Sequence, residues 1–560
     1  MENIFYDIGI IIIAGTLAGF LMHIIKQPIM LGYILAGIIL GPVTGIVTDI
    51  HTITILSEIG IAFLLFIVGI DLDLKKLKHV GGVASIGGLV QMLILFLIGL
   101  AVALAFGYST LTSIYVGLII MFSSTMIVLK LLSDNKQIDT LHSRIIIGTL
   151  LMQDVIAIIS LSILSQLEHF NMISTFITLL TGITLIIAIY FLAKFIFPYI
   201  FKKAAHSQEL LFLLGLTVCF AFSFMFEKAG FSMAIGAFIA GVAIGNLPYN
   251  IEIGGRVKPL KDFFSVLFFT TLGLELVVGN YSNIIYPLIA LLVVVIIGKP
   301  IIITIIVALF GYKKRVAFIT GVNLAQISEF ALILAAQGLL LNHISREIYT
   351  IAILVAVISI VSTSYFVKYE QKLYQIFAKN LKFLDKFGQQ NALELFRDDK
   401  KHNVILCGYN RVGYSIMNSL QKGKKDFLVV DYNPDIIKKL INRKIPCIYG
   451  DLSDPDIIDH LHFDEVELII STVPDFIVNE MIISQVMNKK RQHAKLILTA
   501  YSITEALELY KKGADYVIVP HLLGGEHVSV MLEEIGDNIE ELIKTKLRHI
   551  NELHLRKNMM

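Results

Sequence analysis

The pair Gln153-Asp154 stands deep inside an apolar run, GTLLMQDVIAIISLSIL. A carboxylate at that depth costs several kcal/mol unless it faces protein, water or an ion, so it marks a transport pathway. The bland alternative is a hydrogen-bond partner between helices. Lys299, in VVVIIGKPIII, is buried in an equally apolar stretch and is followed by Pro300, which is expected to break the helical hydrogen-bond ladder. A buried ammonium needs a carboxylate or carbonyl partner, and Asp154 and Glu329 are the candidate acids. A purely structural counter-charge would look the same.

Two further segments place polar groups in the middle of apolar runs. MFSSTMIVLK carries Ser123, Ser124 and Thr125; NLAQISEFALILAAQG carries Asn323, Gln326, Ser328 and Glu329. Small hydroxyl and amide side chains can satisfy an unwound backbone, and the half-helix ends so exposed can face ions. Hydroxyls in a span are often only packing glue. The two segments nevertheless lie at comparable places in the two halves of the apolar region, as an inverted repeat requires, and with Asp154 they outline a midplane site.

A different chemistry is written near the carboxyl end. A β-branched run leads into Gly408-Tyr409-Asn410-Arg411-Val412-Gly413 and then a helical pattern, and the next strand ends at Asp431, at about the 20-residue distance of the dinucleotide fingerprint. Glycines let a backbone turn approach a pyrophosphate held at a helix N-terminus, and the acid takes ribose hydroxyls. Asn410 departs from the pattern, standing where the middle glycine belongs. Gly450-Asp451 closes the third strand and adds Asp451 to the candidate ligand set.

The elements that must position these groups follow from periodicity. At roughly 20 apolar residues per crossing, thirteen spans are expected near 7–23, 29–46, 53–70, 82–106, 111–131, 145–166, 173–199, 208–226, 231–247, 262–279, 284–309, 315–340 and 346–367. Lysine and arginine concentrate in every second loop: Lys26; Lys75, Lys76 and Lys78; Lys136 and Arg144; Lys202 and Lys203; Arg256, Lys258 and Lys261; Lys313, Lys314 and Arg315. That bias puts the amino terminus outside and the carboxyl terminus in the cytoplasm. After the spans, VILCG, FLVVD, CIYGD, LIIST, KLILTA and YVIVP alternate with helix-length stretches, the rhythm of a parallel, doubly wound sheet. The expected organisation is a membrane exchange domain over 1–367, a cytoplasmic linker over 368–402, a Rossmann-like α/β nucleotide-binding regulatory domain over 403–525 and a helical tail over 526–560.

Composition excludes other classes. With 56% hydrophobic and 16% charged residues and a mean hydropathy of +0.77, the chain is a multi-span membrane protein rather than a soluble enzyme. The net charge is only +2, with no basic concentration that would call for nucleic acid. Cys219, Cys407 and Cys447 are too scattered for a disulfide or zinc framework. The first apolar run follows an acidic leader and has no small-residue cleavage site, so it reads as a retained span. No tryptophan occurs, so an interfacial belt must use residues such as Tyr6, Tyr33, Tyr108 and Tyr312.

Taken together, QPIMLGYILAGIILGP, LSEIGIAFLLFIVGIDLDLKKLK, SSTMIVLKLL, the Gln153-Asp154 pair and AQISEFALILA resemble the monovalent cation:proton antiporter superfamily, most closely its Kef-type potassium branch. The soluble part resembles the potassium-transport nucleotide-binding domain that such proteins carry. The resemblance covers nearly the whole chain. It implies an inverted-repeat fold with two crossed, broken helices, a homodimer in the cell membrane, and elevator-like alternating access. It places the ion-binding acid on Asp154, the preceding polar residue on Gln153, crossing-helix residues on Thr125 and Glu329 with Ser124 beside them, and the basic helix residue on Lys299. Glutamine beside Asp154, rather than a second acid, resembles the potassium-type, electroneutral members.

The expectation is therefore a secondary transporter, not an enzyme. It exchanges a monovalent cation, potassium before sodium, for protons, with Asp154 as the transient cation ligand. NAD(H) or an adenine mononucleotide is the expected ligand of the soluble domain, and a regulatory ligand or ancillary subunit is a further expected partner. No segment matches a glutathione-adduct site residue by residue. The rivals are a sodium/proton antiporter, a ligand-gated potassium efflux channel and a membrane-anchored redox enzyme. Against the channel, the chain has no TVGYG-like filter, only YVGLII at Tyr115 within a continuous span. Against the redox enzyme, little chain is left for a substrate domain.

Overall fold

The computed structural model describes residues 4–47, 50–71, 82–135, 137, 140–164, 172–229, 231–276, 284–386, 402–409, 412–450, 452, 457, 461, 466–488 and 494–535. Two compact units emerge, divided between Gly388 and Gln389 apart from the short stretch Asp139–Leu141.

The first unit is helical, and helices occupy all thirteen expected segments. Its first half comprises α1 (Ile4–Ile24), α2 (Ile29–Ile38), α3 (Ile50–Asp71), α4 (Gly88–Ala105), α5 (Thr110–Met121), α6 (Thr125–Asp134) and α7 (Leu141–Leu164). α8 (Met172–Phe191), a π turn and α9 (Phe197–Ala204) connect the halves. The second half comprises α10 (Gln208–Lys228), α11 (Met233–Gly245), α12 (Asn250–Leu274), α13 (Ile285–Val293), α14 (Lys299–Leu309), α15 (Lys314–Asn323), α16 (Glu329–Leu340) and α17 (Arg346–Lys368). Among the described residues, nine helical segments are long and apolar enough to cross a membrane by length and composition. The other expected spans fall on a short helix with a π turn, Ile29–Val43, on the short α11, on the charged α12 and on the broken pair α15/α16.

Packing sorts these helices into two bundles. α3 lies against α11 and α12, and α2 and α1 join α12. The second bundle joins α4 to α5, α14 to α15, and α16 to α5 and α17. Small residues set the closeness of the first: a Cβ on Gly69 would sit 2.3 Å from the Phe238 carbonyl, and one on Gly241 only 2.1 Å from the Phe66 carbonyl. Helices in lipid gain their association from such approach, because lipid tails offer no hydrophobic drive.

Three expectations are corrected. α12 starts at Asn250, well before the expected 262, so Arg256, Lys258 and Lys261 lie on the helix rather than in a loop, with Lys261 only 5% exposed. Pro300 does not interrupt its helix. A π turn, Val294–Gly298, precedes it with helical backbone on either side, so the hydrogen-bond ladder shifts register beside the proline while the helix runs on from α13 into α14. Third, Lys299 pairs with neither acid, as described below.

The second unit is the doubly wound sheet. β1 (Val404–Cys407), β2 (Phe427–Asp431), β3 (Cys447–Tyr449), β4 (Leu468–Ser471), β5 (Lys495–Thr499) and β6 (Tyr516–Ile518) are all parallel, in the order β3-β2-β1-β4-β5-β6. The reversal of strand order between β1 and β4 is where such sheets open a ligand crevice at their carboxyl edge.

Candidate functional site

Both polar segments are breaks in helices. Residues 122–124 separate α5 from α6, and residues 324–328 separate α15 from α16. Ser124 starts α6 by accepting from the Ile127 amide at 3.3 Å, and Ser328 starts α16 by accepting from the Phe330 amide at 3.1 Å. Short hydroxyl side chains of this kind supply the acceptor that a helix start lacks. The freed backbone is satisfied by side chains from elsewhere. Gln153 on α7 accepts from the Ser123 amide at 2.8 Å, and the Ser123 hydroxyl donates to the Leu324 carbonyl at 3.0 Å, linking one break to the other.

Lys299 sits at the same crossing, fully buried. Its ammonium donates to the carbonyls of Ile120 at 3.1 Å, Phe122 at 2.7 Å and Gln326 at 2.9 Å. The carbonyl ends of α5 and of the second break thus receive the positive charge, and Asp154 and Glu329 are not its hydrogen-bond partners. A lysine needs three acceptors, and unwound backbone provides them at lower desolvation cost than a second buried ion.

Asp154 lies one residue beyond Gln153 on α7, 4% exposed. Thr125, the first residue of α6, donates its hydroxyl to this carboxylate, with 3.1 Å to either oxygen. Glu329 opens α16, lies within hydrogen-bonding reach of the Ser124 hydroxyl, and is a charged neighbour of Asp154. Thus Gln153, Asp154, Ser124, Thr125, Glu329 and Lys299 are brought to one place. Gln153 Nε2, Asn323 Oδ1, both amide atoms of Gln326 and Glu329 Oε2 are buried there without a hydrogen-bond partner. Buried polar atoms in proteins are ordinarily paired, and five of them gathered beside the two breaks fit a site completed by water or a small cation.

Three contributors escape a reading of the sequence. Lys261, buried on α12, is close enough to Glu329 for their charges to interact. Glu370, just past the last span, accepts from Gln137 at 2.7 Å and from Asn323 at 3.2 Å. Glu275, at the end of α12, accepts from Tyr349 at 2.8 Å and Thr54 at 3.1 Å, joining the two bundles. Tyr115 lies inside the continuous α5, fully buried, its hydroxyl 2.9 Å from His343 Nδ1, which is no place for an ion filter.

In the second unit the glycine loop follows β1. Gly408 has φ +87°, a left-handed conformation that favours glycine, and a Cβ there would sit 2.6 Å from Thr472 Oγ1. Val412 and Gly413 begin the next helix, Val412–Lys422, and a Cβ on Gly413 would lie 2.1 Å from the Gly408 carbonyl. Both positions thus need glycine because the chain packs closely on itself there. Asp431 ends β2, buried, with Oδ2 accepting from the Tyr409 amide and Oδ1 from the Asn433 amide, each at 2.7 Å. It holds the loop as well as facing it. Asn410, Arg411 and Asp451 lie outside the described residues. Cys407 is buried in β1, and burial pushes its thiol up to about 12.

Residues 9–368 match the model of the family described as "Sodium/hydrogen exchanger, transmembrane", and residues 404–520 match that of the "TrkA-N domain". The chain is 27% identical over 561 residues to YbaL of Escherichia coli (strain K12), named as a cation/proton antiporter, spanning 95% of this chain and 97% of that protein. It is 29% identical over 368 residues to K(+) efflux antiporter 5 of Arabidopsis thaliana, spanning 64% of this chain and 65% of that one. Among solved structures, the sodium proton antiporter MjNhaP1 of Methanocaldococcus jannaschii aligns with a TM-score of 0.49 at 16% identity, covering 68% of this chain and 98% of that one.

Proposed function

The chain belongs to the sodium/hydrogen exchanger family, and we propose that it exchanges potassium, in preference to sodium, for protons at Asp154 under the control of a nucleotide held by the soluble unit. The observation that carries the reading is the Asp154 carboxylate on the Thr125 hydroxyl at the start of a half-helix, between two breaks tied to each other. A carboxylate deprived of water cannot stay bare, so it holds either a proton or a cation, and the carrier changes face only in those two neutralised forms. Competition for one side chain makes the exchange.

The neighbours have distinct tasks in this scheme. Thr125, Ser124 and Glu329 offer oxygens to the partly dehydrated cation, and Gln153 holds the first break open through the Ser123 amide. Lys299 neutralises the carbonyl ends and leaves Asp154 free to trade. The amino terminus lies outside and the soluble unit in the cytoplasm, by the distribution of lysine and arginine. The working form is a homodimer in the cell membrane. A nucleotide at the Gly408–Gly413 loop, which would bring phosphate charge to the start of the following helix, would bias whichever arrangement binds it better, and the membrane unit with it.

Asp154→Asn tests the reading in vesicles loaded with a pH-sensitive dye. The expected outcome is loss of proton release on adding potassium or sodium, with the protein still folded. Exchange that persists overturns the assignment, and a larger response to sodium than to potassium overturns the preference.

A further inference from the structure

The chain leaves its last span into a short helix, α18 (Glu370–Phe377), and a 3-10 turn, Asn380–Lys386, and this segment is two-sided. Its inner side is fixed to the helical unit. Glu370 is buried and accepts from Asn323, the residue before the second break, and from Gln137, which follows α6. Tyr374 is buried with its ring 5.9 Å from Phe318 on α15, and Leu384 is buried as well. The outer side repeats every three to four residues: Tyr369, Lys372, Ile376, Lys379 and Phe383, all exposed. Lys368 joins them, and Lys368 and Lys372 flank the Tyr369 ring at 5.4 and 5.9 Å.

This outer face has the composition of neither a soluble surface nor a span. Among the described side chains of residues 368–384, Lys368, Lys372, Lys379 and Lys382 are exposed, while the one acid, Glu370, is buried. Between the lysines stand Ile376, 68% exposed, Phe383, 55%, and Tyr369, 43%, while the half-exposed Phe377 turns its ring toward Phe318. Apolar and aromatic groups alternating with long basic side chains suit the headgroup layer, where rings reach the acyl boundary and ammonium groups reach phosphates.

We propose that residues 368–384 dock on an anionic lipid surface at the end of the last span. Charge complementarity selects that occupant: the face offers cations and apolar area and, among its described side chains, no exposed acid. Glu370 and Tyr374 carry the consequence inward, because the helix seated on lipid is the one hydrogen-bonded to Asn323 and packed on α15. The surface charge of the bilayer thereby bears on a half-helix of the candidate ion site.

The sequence contains no tryptophan, so Ile376→Trp in the full chain supplies a single reporter at an exposed position. Reconstituted into phosphatidylcholine vesicles with or without phosphatidylglycerol, its indole should emit at shorter wavelength and be quenched by brominated acyl chains, more strongly when phosphatidylglycerol is present. Replacing the four lysines by glutamine should lower that anionic preference by about fivefold per lysine. Raising the ionic strength should do the same without any lysine change. Quenching by aqueous iodide but not by bromolipid would overturn the proposal, as would an indole shielded from both, which would mean a protein covers the face. Equal quenching in neutral and anionic vesicles would also overturn it.

Discussion

Lys299→Met separates two readings of the membrane site. The structure gives the ammonium three main-chain carbonyls, from Ile120, Phe122 and Gln326, and no acid. Methionine keeps the stem and removes the donor, leaving carbonyls buried at about 1–3 kcal/mol each. Relief of the buried charge offsets part of this, so the net loss is comparable to breaking a buried pair, about 3–5 kcal/mol. Nothing in that loss touches Asp154 directly, because its hydroxyl donor is Thr125. Thermal unfolding of the purified protein should therefore show a clear drop in melting temperature. In vesicles, the surviving exchange should keep its pH midpoint. Unchanged melting with a midpoint displaced by about one unit, equivalent to about 1.4 kcal/mol at the acid, would refute the reasoning and restore an ion pair between Lys299 and Asp154.

Two expectations concern the soluble unit. Gly408→Asp puts a side chain 2.6 Å from Thr472 Oγ1 in a left-handed conformation and sets a negative charge in the phosphate cradle, so calorimetry should show ADP and NADH binding abolished while Asp154-dependent exchange without nucleotide survives; unchanged affinity would contradict the cradle. The Cys407 thiol, buried and pushed up to about 12, is almost wholly protonated at pH 8, so maleimide should label it only on unfolding; rapid labelling of the native protein at pH 8 would contradict its burial.

What the sequence showed depended on which atoms carry the interaction. Both helix breaks were legible because their work is done by side chains: Ser123, Ser124 and Ser328 are hydroxyls where apolar residues belong. The six strands were legible because a parallel sheet buried on both faces demands short, nearly continuous apolar runs rich in valine, isoleucine and leucine, such as Val404–Cys407 and Phe427–Asp431. The partners of Lys299 were not, because every residue owns a carbonyl and only the fold selects three of them. Lys261 was read as a loop cation because an apolar-length rule ends the span where polarity begins, although α12 continues through it. Glu370 was hidden in a charged stretch that conceals which one of its charges turns inward.

The crossed breaks also explain how one chain can hold a lysine and two acids close together without fixing them as salts. Helix ends carry partial charge, positive where amides are free and negative where carbonyls are. Thr125 and Glu329 open half-helices, and the acids gather there: Asp154 through the Thr125 hydroxyl, Glu329 as the first residue of α16. Lys299 gathers at the opposite ends, on the carbonyls of Ile120, Phe122 and Gln326. Lys299 is thus answered by main-chain carbonyls and Asp154 by a hydroxyl, and the cation whose charge reaches Glu329 is Lys261 rather than Lys299. An acid held by an ammonium would have a permanent partner and little reason to exchange it. An acid held only by a hydroxyl and a helix end still needs a full positive charge, and a proton or a metal ion can supply it in turn.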